Sequence, residues 1–358
     1  MKKVIIAEKP SVAKNIADAY NIKIRKDISD TKLFETIIKK YKIEPKDVVE
    51  WHISRKSIDA RKKDDIHYIY SIDLKLKNEN KYKKFNKVKE FNIPKIKAIN
   101  TDKKNVVIVG AGPSGLFSAL TLVQNGISPI VIEQGESVEN RKNSVDKFLK
   151  NGNLNVLSNV QFGEGGAGTF SDGKLTTGIN SPYCKKVLQE FVNFGAPEQI
   201  LYLSKPHIGT DNLINIIKNI RNYIISKGGS FLFNTKVVDF NIINGKIISV
   251  SCLNNSNLQE ISASHVVLAI GHSSRDTFEK LYEKGITMEK KNFSVGVRIE
   301  HLQEEINKSQ YGSFTNLKLP PAEYKLAYHS PNTGRSCYTF CMCPGGVVMA
   351  SSSEKWYE

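Results

Sequence analysis

The chain has 358 residues, 40% hydrophobic and 25% charged. That balance excludes a disordered or fibrous chain and fits a soluble globular protein of more than one domain. Its net charge of +16 is lopsided, with 28 Lys and Arg against 15 Asp and Glu in residues 1–104.

A basic N-terminal third implies nucleic-acid contact on one reading. Solvated lysines in a Lys-, Asn- and Ile-rich composition are the plainer one. The basic start at Met1–Ala7 is cut by Glu8-Lys9-Pro10, so no secretory signal is expected. Asn105 to Asn125 lies within the longest uncharged stretch. It holds Gly, Ser, Thr and a Pro, and reads as strand, turn and helix rather than a membrane span. Five cysteines make no disulfide framework in a chain of this length, so a reducing, cytoplasmic setting is expected.

In chain order, Lys3–Ala7 reads as a short strand and Val12–Tyr20 as a helix. Residues 21–97 read as a small α+β unit. In it Ser29-Asp30-Thr31 precede an amphipathic helix from Lys32 to Tyr41, with Leu33, Phe34, Ile37 and Ile38 on one face. Two strands are expected next, over Val48–Ser54 and Ile66–Leu76. The second alternates Ile66, Tyr68, Tyr70, Ile72 and Leu74 with His67, Ile69, Ser71, Asp73 and Lys75, which predicts one buried face. The Lys- and Asn-rich residues 79–104 read as a linker, with 98–104 as its last part.

Asn105-Val106-Val107-Ile108-Val109 is β-branched without alternation, the pattern of a central parallel strand covered on both faces. It runs into Gly110-Ala111-Gly112-Pro113-Ser114-Gly115, a helix to Asn125, a cap at Gly126, a strand over Pro129–Ile132, and Glu133. This is the dinucleotide-binding βαβ pattern. Gly110 makes the tight turn, Gly112 lets a pyrophosphate approach, and Gly115 lets the helix pack close. Pro113 sits where its missing N–H costs nothing. Ser114 opens the helix, whose N-terminus offers N–H groups and a positive dipole end to phosphates. A carboxylate at Glu133 accepts ribose hydroxyls and disfavours a 2′-phosphate.

The spacing alone does not separate FAD from NAD. Two downstream features favour FAD. One is Gln161 to Lys174, where Gly163, Gly165, Gly166 and Gly168 supply backbone amides for a nest. The other is a strand over Ser230–Phe240 carrying Val237, a hairpin turn at Asn244-Gly245, and a buried strand His265–Ile270 ending at Gly271.

At these residues the chain resembles the uncharacterised FAD-dependent dehydrogenases, also called NAD(FAD)-utilizing dehydrogenases. The resemblance runs from about residue 21 to 350. It is carried by Ser57–Lys63, Gly110–Gly115, Gln161–Lys174, Lys205–Asp211, Ala269–Ser273, Ser294–His301 and Tyr338–Gly346. It implies an α/β fold: a Rossmann-like FAD-binding domain of the glutathione-reductase type over 105–271, preceded by the small α+β domain. Residues 272–358 would form a partial substrate domain, truncated relative to family members. The implied activity is FAD-dependent hydride transfer to or from an unidentified small molecule, with NAD(P)H open as co-substrate. It also implies that backbone at Val237 meets the adenine and that Gly271 lies near the FAD.

Residues 1–20 instead resemble the opening TOPRIM strand of type IA topoisomerases, with Glu8 matching a glutamate of the metal-dependent centre. No Asp-x-Asp pair accompanies it, so an orphan fragment is expected. A flavin carries its own redox chemistry, and no catalytic triad is visible. His207, His272, Arg275, Arg298 and His301, in or beside the motifs, are the candidates for substrate contact. Structural hydrogen bonding is the plainer reading of each. Cys341 and Cys343, with Cys337 nearby, have no zinc spacing and read as buried small hydrophobes on one strand face. Asp59, Arg61, Lys62 and Lys63 read as a polar turn.

Overall fold

The computed structural model describes residues 2–4, 22–24, 28–82, 86–87, 105–170, 173–179, 181–313, 319–339, 342–348 and 350–355. The expected helix over 12–20 and Glu8 lie outside them.

Among the described residues the N-terminal unit is an antiparallel sheet with one α-helix. Its strands are β1 (Lys2–Val4), β2 (Ile22–Ile24), β3 (Val48–Asp59), β4 (His67–Leu76) and β5 (Asn86–Lys87). β4 pairs with β3 along one edge and with both β2 and β1 along the other, and β5 adds to β1. Helix α1 (Asp30–Tyr41) starts where the Ser29 side chain accepts the Lys32 N–H at 3.4 Å, and stops at Lys42, which is left-handed (φ 52°). It buries Leu33, Ile37 and Tyr41 against Tyr68, Tyr70, Ile72 and Leu74 of β4. The alternation therefore marks the helix-facing side, as expected. The other face is not solvated: His67, Ser71 and Asp73 are buried too. β4 is flanked on both edges, and its polar side chains find local partners, His67 Nδ1 with the Asp65 carbonyl at 2.7 Å and Asp73 with His52 at 3.5 Å. The expected linker begins later than its composition suggests. Residues 79–82 turn back onto the unit, where the buried Tyr82 donates its hydroxyl to Asp47 at 2.7 Å. Residues 98–104 lie outside the described residues.

The second unit is built on a parallel sheet in the order β12 (His265–Leu268), β6 (Val106–Val109), β7 (Ile130–Ile132), β8 (Ser230–Leu232). Helices α2 (Pro113–Gln124), α4 (Pro182–Asn193) and α5 (Thr210–Ser226) contribute to the core on one face. An antiparallel meander of β9 (Thr235–Ile243), β10 (Lys246–Asn254) and β11 (Asn257–Ser262) covers the other. Every residue of β6 is buried. Ile108 packs with Leu116, Leu120 and Ile216 on the helix side, and Val107 and Val109 pack with Val237, Phe240 and Val250 on the meander side. That two-sided burial is why the strand is apolar at consecutive positions. Helix α3 (Val138–Asn151) follows β7 and contacts α5.

Two expectations are corrected. Ser230–Phe240 is two strands, not one. Asn234 adopts φ 52° and turns the chain from β8 in the parallel sheet to β9 in the meander, a conformation that asparagine tolerates better than most residues. Strand β12 is not buried. It is the sheet's edge, and Leu268 is 43% exposed. The turn at Asn244-Gly245 is as expected, with φ 50° and 73°.

Beyond α6 (Arg275–Glu283), residues 287–300 run exposed and outside any regular element. Helix α7 (Gln303–Tyr311) and a hairpin of β13 (Ala327–His329) and β14 (Ser336–Tyr338) follow. The cysteines there do not share a buried strand face: Cys337 is exposed on β14, Cys343 is half-buried outside any strand, and Cys341 lies outside the described residues. Among the described residues no helix is long and apolar enough to cross a membrane.

Candidate functional site

The βαβ unit places Gly110 and Gly115 where only glycine fits. Gly110 has φ +101°, and a Cβ there would lie 2.5 Å from the Ala269 carbonyl oxygen at the end of β12. Its N–H donates to Ile132 O at 2.7 Å, tying the turn to β7. A Cβ on Gly115 would stand 1.9 Å from Gly110 O, so Gly115 seats the helix rather than lining a cavity. Around Gly112, by contrast, the space is open: its nearest neighbour would be Gly166 Cα at 3.9 Å. That open space is what a phosphate approaching the backbone would need. The first turn of α2 leaves N–H groups without intrahelical partners, and Pro113 occupies N1.

Glu133 is buried, and its carboxylate accepts the Ala111 N–H at 2.7 Å and the Gly135 N–H at 2.9 Å, one on each oxygen. It braces the dinucleotide loop from within. Each carboxylate oxygen keeps a further lone pair for a ribose hydroxyl.

These features converge on a cavity of about 550 Å³ at the carboxyl ends of β6, β7 and β12, the end where open α/β sheets bind ligands. Of the residues expected from sequence, Gly110, Gly112, Pro113, Ser114, Glu133, Gly163, Gly166, Val237, Gly271 and His272 line it. Gly115, Gly165 and Gly168 do not. The Gly165 N–H donates to Ala111 O at 2.9 Å behind the loop, and Gly168 is exposed with nothing within 4 Å of a Cβ.

Four of the substrate candidates lie elsewhere. Exposed Arg275 pairs with Glu354 at 2.7 Å. Arg298 donates to Ser351 Oγ at 2.8 Å, and His301 Nε2 meets the Tyr324 hydroxyl at 2.8 Å. His207 sits beside Lys174 in an isolated antiparallel bridge. The Asp59 carboxylate binds Arg61 twice, which holds it down to about 2, so that part of the polar turn has a fixed ion pair.

Sequence reasoning missed a polar junction at the cavity mouth and a buried charge cluster behind it. At the mouth, Ser273 donates to Gln161 Oε1 at 2.6 Å and Gln161 Nε2 donates to Ser351 O at 2.7 Å. Behind the glycine segment, Arg141 is 0% exposed and donates to the carbonyls of Asn159, Val160, Gly163 and Glu164. Burial lowers its guanidinium to about 10, against the pull of Glu133 and Glu164. Glu164, also 0% exposed, accepts the Val138 N–H at 2.8 Å and Arg221 Nη1 at 2.6 Å. Burial pushes its carboxyl up to about 7, with the Val138 N–H and Arg221 acting in the other direction.

Residues 104–305, more than half of the chain, match the family described as pyridine nucleotide-disulphide oxidoreductase. The chain belongs to this family. Residues 292–357 match a model described as FAD-dependent protein, C-terminal domain-like, and residues 18–75 match a domain of unknown function. The two flavoprotein matches make FAD the cofactor, and the parallel-sheet unit is its Rossmann-like binding domain. An uncharacterized protein from Clostridium beijerinckii is 46% identical over 343 residues, covering 94% of this chain and 64% of its own length. The chain thus spans 64% of that relative. Among solved structures, Thermovibrio ammonificans THI4 is similar at 17% identity and a TM-score of 0.35, over 51% of this chain and 64% of that one. A 3-ketosteroid-delta4-(5alpha)-dehydrogenase from Rhodococcus jostii RHA1 is similar at 12% identity and a TM-score of 0.32, over 47% of each chain. At those scores neither likeness bears on mechanism or substrate.

Proposed function

We propose that the chain is an FAD-dependent oxidoreductase that transfers a hydride between the flavin and a small molecule. The observation that carries this reading is the convergence of the open backbone at Gly112, the α2 N-terminus, Glu133 and the Gly163–Gly166 segment on one cavity. A bound FAD supplies two-electron chemistry at its ring system. The chain's residues would hold it: first-turn N–H groups of α2 would serve the pyrophosphate and Glu133 the adenosine ribose, while Val237 walls the cavity from the meander side. His272 is the titratable candidate that lines this cavity. NADH or NADPH as electron donor, and a cytoplasmic setting, belong to the same proposal.

The test is to purify the full chain, record its visible spectrum, release the cofactor by denaturation and identify it by mass. Bound FAD, with reduction by NADH or NADPH then screened, is the expected result. A colourless preparation that takes up no added FAD overturns the reading.

A second reading, contact with nucleic acid through the basic N-terminal third, is supported by the exposed loop Arg61–Lys62–Lys63 between β3 and β4. It requires binding to DNA or RNA that weakens steeply with salt, and salt-independent or absent binding rules it out. The TOPRIM resemblance of residues 1–20 remains a proposal about descent and carries no chemistry here.

A further inference from the structure

We propose that Arg141, Glu164 and Arg221 are positioning residues for the cofactor, which set the spacing between the glycine segment and the dinucleotide loop from behind. The inference rests on the FAD reading above and concerns the same site.

None of the three side chains lines the cavity, so none is catalytic. Arg141 reaches up from α3, and four of its N–H bonds go to main-chain carbonyls between Asn159 and Glu164, at 2.6 to 3.2 Å. Burying a guanidinium is costly unless its donors are met, and here the path of the glycine segment meets them. Gly163 takes φ +112° directly over the side chain: a Cβ there would lie 2.5 Å from Arg141 Cδ. One residue on, the Glu164 carboxylate is gripped by the Val138 N–H at the start of α3 and by Arg221 of α5. Arg221 is itself anchored by Glu139, at 2.6 and 3.1 Å. The next two residues deliver the result. The Gly165 N–H bonds to Ala111 O at 2.9 Å, and Gly166 rests on Pro113 and Gly112. A chain of charge, carbonyl and glycine thus runs from two helices to the loop that faces the phosphates. Such supporting shells act by fixing the groups that touch the ligand.

The test uses the full chain, wild type and Glu164→Gln, at a pH well above the carboxyl's value of about 7. Glutamine keeps one oxygen to accept from Val138 and Arg221 and removes the charge. FAD affinity is read by titration, and the phosphorus NMR resonances of bound FAD report the geometry at its pyrophosphate. Glu164→Gln is expected to weaken FAD binding about tenfold or more and to shift those resonances. Arg221→Lys, which retains a cation, is expected to do the same more mildly, and it keeps the test open if the first variant does not fold. Unchanged affinity and unchanged resonances in a folded variant, with only a lower melting temperature, overturn the proposal. A flat titration of the wild type overturns the cofactor reading itself and this inference with it, and is recognised because it needs no variant.

Discussion

Gly166 and Gly168 stand two residues apart in one motif, and the structure assigns them opposite sensitivity to a single methyl group. Gly166 has φ +65°, and a Cβ there would lie 2.9 Å from Pro113 Cδ and 3.4 Å from Gly112 Cα. Left-handed backbone costs a non-glycine residue about 1–2 kcal/mol. Carbon atoms rest about 3.5–4.0 Å apart, so the methyl group is short of room by over half an ångström against a rigid ring, and overpacking of this kind costs about 1–3 kcal/mol. Gly166→Ala should therefore destabilise the fold by roughly 2–5 kcal/mol if the loops hold their positions. At about 2–4 °C per kcal/mol for a unit of this size, that is a fall of roughly 4–20 °C in melting temperature. If the glycine segment retreats instead, the cost passes to the cradle, and FAD affinity falls by about tenfold for each 1.4 kcal/mol transferred. Gly168→Ala meets nothing within 4 Å and should leave both properties at wild-type values. Thermal melts and FAD titrations of the two variants decide the matter. Equal effects at the two positions, or a wild-type-like Gly166→Ala, would refute the packing of the glycine segment on Pro113.

Three further outcomes follow from local geometry. Hydrogen bonds from Arg61 hold Asp59 at about 2, below its ordinary 3.8. Its contribution to stability is therefore present above about pH 4 and lost as pH falls toward 2. Arg61→Ala should remove that loss, and superimposable pH–stability profiles of the two proteins by denaturant titration would count against the ion pair. Cys252 is buried with its thiol pushed up to about 11, whereas Cys337 is exposed. Alkylation of the native protein should modify Cys337 and spare Cys252 until denaturant is added, and peptide mass mapping that finds equal rates contradicts the burial. Val297 is 88% exposed, so Val297→Asp should change the unfolding free energy by no more than about 0.5 kcal/mol; a larger loss in chemical denaturation means that the side chain is covered.

The parts of the fold legible in the sequence are those where local pattern and tertiary role agree. The β-branched run of β6 allows only a two-sided core strand, and the glycines at 110 and 115 each carry a separate steric demand, while the space at Gly112 is open. The break at Asn234 is not legible, because neither proline nor glycine marks it and strand-forming apolar residues lie on both sides of Asn234-Thr235-Lys236. Arg141 is harder still. In Val138-Glu139-Asn140-Arg141-Lys142 it looks like any solvated charge on a helix, and only the carbonyls of a segment eighteen or more residues away distinguish it from Lys142. The same limit explains the substrate candidates. Motif membership marked Arg275, Arg298 and His301 without telling which of them face a cavity, and their partners Glu354, Ser351 and Tyr324 are distant in sequence.

The two halves of the site differ in how the fold supports them. The cavity-lining residues stand at the ends of β6 and β7, whose side chains are packed from both faces of the sheet, and on β9, whose Val237 and Phe240 belong to the meander-side core, so their geometry is inherited from the core. Arg298 and His301 stand on or beside a run in which Phe293, Val295, Val297 and Ile299 alternate with polar residues, yet each of the four is at least 70% exposed. Alternation of that kind is the pattern of a strand with one covered face. Among the described residues no strand pairs with this run, so its backbone and side chains have no sheet to fix them. Preorganisation of a reacting geometry requires supports of the first kind. It follows that the dinucleotide half of this molecule is positioned by its own core. Any contribution of Arg298 or His301 to substrate binding depends on what orders residues 293–301.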